Sequence, residues 1–236
     1  MRKPKGCLIC QEELIYLEAM EPMECSFCHE IFRSNAKCKH HHYICDACHS
    51  QKGIEVILEA CMEDTSKNPI DITNRIMQNP YIYMHGPEHH ILVGAALLTA
   101  YKHCGGELDL EAALAEMKAR GKQVPGGVCG LFGCCGAAVS TGIYYSIVTK
   151  CNPLKEKEWQ RANLMTAASL KAIAQHGGPR CCKRDSFLAI QEAVAYTADT
   201  LNIYMELPQE TICSFFIENK ECIQEKCPFH PRNHKK

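Results

Sequence analysis

The sequence predicts a mainly α fold in two units, a small module over residues 1–50 and an all-α domain over residues 51–236. Three observations predict it. Cysteine pairs crowd the first 50 residues, helix-spaced apolar runs separated by turn and cap signals fill the rest, and no alternating segment beyond the module is long enough for a strand.

The totals allow this division. A chain of 236 residues, 46% hydrophobic and 22% charged, can form one substantial core beside a smaller unit. Lys plus Arg (26) nearly balance Asp plus Glu (27), so no global field favours nucleic acid or an anionic membrane. Arg2, Lys3, Lys5, Arg33, Lys37 and Lys39 give the module a basic side that is thin for a nucleic-acid reader, and nucleic acid is not expected as a partner. The 18 Cys would read as a disulfide framework in a secreted protein. MRKPKGCLIC, however, lacks a signal peptide's apolar run, and no stretch approaches the ~18 apolar residues of a membrane span. A reducing cytoplasm is therefore expected, where Cys-x2-Cys pairs serve as metal ligands, and an anaerobic cell suits the thiol load.

In the module, Cys7 and Cys10, Cys25 and Cys28, and Cys45 and Cys48 form three such pairs, and Cys38 is followed by His40, His41 and His42. Counting Cys38 and His42 completes the nitrogen and sulfur ligands of two closed tetrahedral zinc sites. So small a segment has too little core to fold without metal. Cys25 and Cys28 read as a knuckle, Glu30–Ile44 as a hairpin, and Cys45 and Cys48 as the first turn of the helix CDACHSQKGIEVILEA. That layout puts Cys25, Cys28, Cys45 and Cys48 on one ion and Cys7, Cys10, Cys38 and His42 on the other, with a sequential ribbon as the alternative. His40 can replace His42, while His29 and His49 read as bystanders. The spacing resembles the interleaved, treble-clef-like sites of RING and FYVE fingers, with one pair moved to the N-terminal side.

Ile54, Ile57, Leu58 and Cys61 recur at helical spacing in a helix that joins module to domain. SKNPI then breaks the chain, and a helix starting near Pro69 runs to Met77, before Asn79-Pro80. Pro87 occupies a first-turn position ahead of an apolar helix that ends at Cys104. His85, Glu88, His89 and His90 cluster at its start and read as acid/base or metal-ligating groups, against helix caps or solvent-facing residues. Asp109 can cap the next helix, whose inward face is Leu110, Leu114 and Met117 and which ends at Gly121.

The centre of the domain is VPGGVCGLFGCCGAAVSTG, with Cys129, Cys134 and Cys135 among glycines that admit close backbone approach. Thiolates in such a loop point to a soft metal or an iron–sulfur pocket. A tightly packed helix over Ala137–Val148 and a long one from Trp159 to His176 follow. Next comes GGPRCCKRD, where Cys181, Cys182, Arg180, Lys183 and Arg184 gather at a helix start suited to an anion. The tail, residues 213–236, carries Cys213, Cys222 and Cys227, the last before Pro228, and reads as a third metal site or a contributor to the central pocket.

At CKHHHYICDACH, MHGPEHH, CGLFGCCGAAVSTG and HGGPRCCKRD the chain resembles an uncharacterised prokaryotic family of unknown function, whose members occur in archaea and anaerobic bacteria, sometimes alongside methyltransferase or radical-SAM domains. This likeness covers nearly the whole chain and implies no reaction. GCCGAAVSTG followed by GGPRCCKRDSFLAIQEA is also similar in order and spacing to the α-domain of iron–sulfur L-serine dehydratases and, more loosely, to cysteine desulfidases. That likeness implies Cys129 or Cys135 as a first cluster ligand and Cys181 or Cys182 as a later one. The family's further ligand has no counterpart, since Ala172 to His176 contains no Cys, and Cys134, Cys104 or a tail Cys must replace it.

The expectation is a metalloprotein with two structural zinc ions and a [4Fe–4S] cluster, acting on a small anionic or sulfur-containing substrate by elimination or sulfur transfer. A cluster held by three Cys leaves one iron open as a Lewis acid. His85, His89 or His90 then moves the proton, and Arg180 and Arg184 hold the anion. The alternative is a zinc- or redox-sensing adaptor, or a methyltransferase-associated protein, that binds a protein partner through the module.

Overall fold

The computed structural model describes Cys7, Ile9, Cys10 and residues 12–234. Arg2, Lys3 and Lys5, part of the module's basic side, lie outside the described residues. Two antiparallel strands, β1 (Leu14–Glu24) and β2 (Ile31–Cys38), pair from Leu14 opposite Cys38 to Glu24 opposite Ile31. The Cys25–Cys28 knuckle forms the turn between them, closed by Cys25 N–H donating to Glu30 O at 2.9 Å. This corrects the hairpin expected over Glu30–Ile44, because β2 folds back on the chain before the knuckle. An irregularity between Tyr16 and Glu21 interrupts the register. It breaks the two-residue period that would have marked β1 as a strand.

Helix α1 (Asp46–Glu63) starts at Cys45, whose Sγ accepts from the Cys48 amide at 3.4 Å. It runs through the boundary expected at residue 50 and buries Ile54, Ile57 and Cys61. The domain continues with α2 (Pro69–Met77), α3 (His89–His103), α4 (Leu110–Gly121), the single turn α5 (Val128–Leu131), α6 (Gly136–Val148), α7 (Glu156–Gln175) and α8 (Cys182–Leu201). Caps explain several starts. Asn68 Oδ1 accepts from the amides of Ile70 and Asp71 with Pro69 beside it, and Asp109 Oδ1 accepts from Ala112 at 3.1 Å.

Helix α3 is the axis. Every residue from His89 to Tyr101 is buried, and α1, α2, α4, α6 and α8 all pack on it. A helix covered on all sides has no polar stripe, as its uniformly apolar sequence implies. Two helices extend further than expected: α7 starts at Glu156 rather than Trp159, and α8 takes in Cys182–Asp185. After α8 the tail has only two short 3₁₀ turns, Gln224–Lys226 and Pro231–His234, among the described residues. It is fastened by Glu206 N–H to Lys67 O (2.9 Å) and by Phe229 packing edge-on against Phe187, and is closed on itself by Cys213 N–H to Phe229 O (2.8 Å). No helix among the described residues is long and apolar enough to cross a membrane.

Candidate metal centres and the cleft between helix N-termini

The knuckle, the end of β2 and the first turn of α1 bring the module's ligands into two groups. The ligand atoms of Cys7, Cys10, Cys38 and His42 lie within 4.8 Å of one another, and so do those of Cys25, Cys28, Cys45 and Cys48. The grouping is interleaved, and His42 is the histidine it includes: its Nδ1 stands 3.6 Å from Cys7 Sγ, whereas His40 is exposed. Backbone amides point at the sulfurs, from Ile9 to Cys7 (3.4 Å), His40 to Cys38 (3.3 Å) and Cys45 to Cys25 (3.3 Å). Burial pushes the Cys25 thiol up, but the amides of Cys45, Cys28 and Phe27 outweigh it and bring the pKa to about 6. Its neighbour Cys48 moves the other way, burial and then the adjacent thiols pushing it up to about 12, so one thiol of the four carries the charge most readily. Both groups match the donor set of a tetrahedral ion such as zinc.

The domain's cleft, with an empty volume of about 760 Å³, opens where α3, α6 and α8 begin. His85, His89 and His90 come from the turn into α3, Cys129 from α5, Cys135 from the start of α6, and Arg180, Cys182 and Asp185 from the start of α8. Gly136 is needed for this convergence, because a Cβ there would stand 2.1 Å from His90 Cδ2. The macrodipoles of three helices thus direct positive ends towards one space, which favours an anion.

The three histidines are held differently. His90 donates from Nδ1 to Val124 O at 3.0 Å, and burial lowers its pKa. His89 donates from Nδ1 to Gly86 O at 3.1 Å, so its Nε2 accepts from the buried Lys183 ammonium at 3.2 Å. Burial, followed by the Lys183 charge, holds its pKa well below the usual value. His85 Nε2 faces two acceptors, Asn219 Oδ1 at 3.2 Å and Glu221 Oε2 at 3.1 Å, and therefore carries the hydrogen. Its Nδ1 is buried without a hydrogen-bond partner. Cys135 lies 3.9 Å from Asp185 Oδ2, and burial, then that carboxylate, push its thiol up to about 12.

Not every residue expected at the cleft reaches it. Cys134, Cys181 and Arg184 are absent from its walls. Cys181 and Arg184 instead line a second, smaller cavity with Cys213, Cys222 and Cys227. Lys183 and Arg184, expected at the anion, are turned inward. Lys183 Nζ bonds Tyr83 O and His89, and Arg184 bonds Asp185 Oδ1 and the carbonyls of Gly177 and Pro179. Arg180 remains as the cleft's guanidinium. Asn219 and Glu221 escaped sequence reasoning, standing 134 and 136 residues from His85 with no local signal to connect them.

A family model described as "Family of unknown function (DUF5714)" matches residues 57–230. The match takes in the cleft and the tail cavity and begins after both ligand groups of the module. No curated protein and no solved structure matches the chain.

Proposed function

We propose a function for this chain, which belongs to that family of unknown function, from its own geometry: it is a metalloenzyme that eliminates water or hydrogen sulfide from a small carboxylate. The two ligand groups of the module hold structural zinc ions, and an iron–sulfur cluster completes the cofactor set. The observation that carries the reading is His85, a residue of the cleft wall whose Nε2–H is fixed by Asn219 and Glu221, which leaves Nδ1 without a hydrogen and without a partner. A carboxylate behind an imidazole holds its tautomer and stabilises the imidazolium formed when the other nitrogen takes a proton.

On this reading Arg180 and the helix N-termini bind the substrate carboxylate. His85 Nδ1 takes the proton from the carbon beside it, and that electron pair forms the carbon–carbon double bond. The β-substituent leaves as hydroxide or hydrosulfide and takes the Cys135 proton, giving water or hydrogen sulfide. The proton on His85 then returns to the Cys135 thiolate, restoring both groups. A raised pKa suits the acid, since Cys135 keeps its proton at neutral pH until a stronger base forms beside it.

L-Serine and L-cysteine are the probes, with pyruvate and sulfide as readouts. Protein purified without oxygen is expected to convert at least one of them to the enamine, which tautomerises to the imine and is hydrolysed by water to pyruvate and ammonia. His85→Gln and Arg180→Ala should lower the rate at least about 100-fold, the usual scale for losing one acid/base group. An inert wild type, or variants as active as it, would refute the reading. A docking role for the module is the second reading, favoured by the exposed Ile31 (71%) and Met20 (58%) on its strands. It predicts that changes there, rather than at His85, abolish function.

A further inference from the structure

We propose that Cys181, Cys213, Cys222 and Cys227 are the four ligands of a [4Fe–4S] cluster enclosed between the N-terminus of α8 and the tail. The inference rests on the reading of this chain as an iron–sulfur protein, and it moves the cluster out of the cleft. All four thiols line one cavity, walled by Phe215, Phe216 and Phe229.

The first argument is the pattern of amides. Phe215 N–H points at Cys213 Sγ (3.4 Å) and Gln224 N–H at Cys222 Sγ (3.4 Å), each from two residues on. The module's ligands Cys7 and Cys38 receive the same donation from Ile9 and His40. Cys181 Sγ accepts two bonds, from Arg184 N–H at 3.5 Å and Asn219 Nδ2 at 3.3 Å. Thiols are weak acceptors and thiolates strong ones, so this density of donors belongs to metal-bound sulfur.

Spacing separates a cluster from a single ion. Four thiolates on one zinc stand about 3.8 Å apart, from a Zn–S bond near 2.3 Å and tetrahedral geometry. The two module groups meet a 4.8 Å limit on every pair of ligand atoms, and the tail cysteines do not form such a group. A cubane places each thiolate on its own iron with inorganic sulfide between, which suits sulfurs set more widely around a cavity.

Orphaned donors supply the third argument. His230, 2% exposed, accepts from Arg232 N–H at Nδ1, so its hydrogen is on Nε2, and that buried atom has no partner. Arg184, 3% exposed, likewise has a buried Nη1 with no partner. Both residues line this cavity. Four thiolates around the oxidised cluster carry a net charge of about −2, and its sulfurs offer the acceptors these donors lack.

Four cysteine ligands leave no open iron, so this cluster does not touch substrate. Its link to the cleft is Asn219, which donates to Cys181 through Nδ2 and accepts from His85 through Oδ1. The cluster thereby fixes the tail and positions the cleft's base.

The test is iron, acid-labile sulfide and zinc per chain after anaerobic reconstitution with ferrous iron and sulfide. The wild type is expected to hold about four iron and four sulfide. Cys222→Ser and Cys227→Ser should lose them while keeping zinc, and Cys129→Ser and Cys135→Ser should keep all three. Asn219→Ala removes no ligand, so it should retain the iron and lower the reduction potential, because one hydrogen bond to a thiolate is gone. Iron lost from the cleft variants but kept in the tail variants would overturn the ligand set and leave the iron–sulfur reading standing. A wild type without iron and sulfide, or with zinc on the tail thiols, would overturn both. Pyruvate formation by the wild type is read separately and does not depend on which cysteines hold the iron, so a wrong ligand set and an inert cleft are told apart.

Discussion

Acid should destabilise this protein through His89. Its ring is 1% exposed, with both nitrogens engaged by Gly86 O and Lys183 Nζ. A proton on Nε2 would abolish the bond from Lys183 and set two cations 3.2 Å apart. The folded pKa therefore lies well below the ordinary value, while the unfolded chain titrates near about 6.5. Above that pH neither state holds the proton and His89 contributes no pH dependence. Below it the unfolded state binds a proton that the folded state refuses, so stability falls with falling pH. At pH 5 the loss is RT ln(1 + 10^1.5), about 2 kcal/mol, for a ring that stays neutral when folded. This is a ceiling, since Glu88 Oε1, 3.5 Å from His89 Nδ1, favours the charged ring. The assay is urea unfolding of wild type and His89→Gln between pH 7.5 and 5, read by far-ultraviolet circular dichroism. The variant should be less stable at pH 7.5 and lose up to about 2 kcal/mol less on acidification. Metal release at low pH affects both proteins and cancels in the comparison. Equal losses would refute the account of His89 as a neutral ring held by Lys183.

Three further predictions concern packing and metal. Gly53→Ala would place a Cβ 2.7 Å from Tyr81 O. The clash is with backbone, so a cost of about 1–3 kcal/mol should exceed the roughly 1 kcal/mol that alanine gains in a helix, and thermal denaturation should show a lower midpoint. Phe187→Ala removes a fully buried ring that packs on Phe229 and should cost about 3–5 kcal/mol in chemical denaturation. Cys25→Ser should remove one zinc per chain and leave the other, and a strong chelator should unfold the module while the helical domain keeps most of its dichroism.

Much of the architecture was legible because it depends on local signals. Asn68 before Pro69 and Asp109 before an apolar period fix helix starts through bonds within a few residues, and α4 ends at Gly121, where the sequence places its end. The module's ligand groups were legible because paired thiols on tight turns have few ways to meet. The cleft was legible only in part. Cys181 and Cys182 are neighbours, yet the first is the N-cap of α8 and faces the tail cavity, while the second begins the helix and faces the cleft. One residue of helix start turns a side chain by roughly 100°, and nothing in the dipeptide states which way. Lys183 and Arg184 looked like anion holders by charge, but their partners are carbonyls, His89 and Asp185, brought near by tertiary packing. The Glu221–His85 pair depends on the path of a tail with little regular structure, which periodicity does not reveal.

The most direct test of the cleft chemistry is proton exchange itself. L-Serine and L-cysteine would be incubated in deuterated water with anaerobically purified protein, and loss of the α-proton signal followed by NMR. The account predicts exchange with the wild type, none with His85→Gln, and persistent exchange without pyruvate formation in Cys135→Ser, where the base survives and the acid does not. Exchange that survives His85→Gln, or a wild type that exchanges neither substrate, would contradict it.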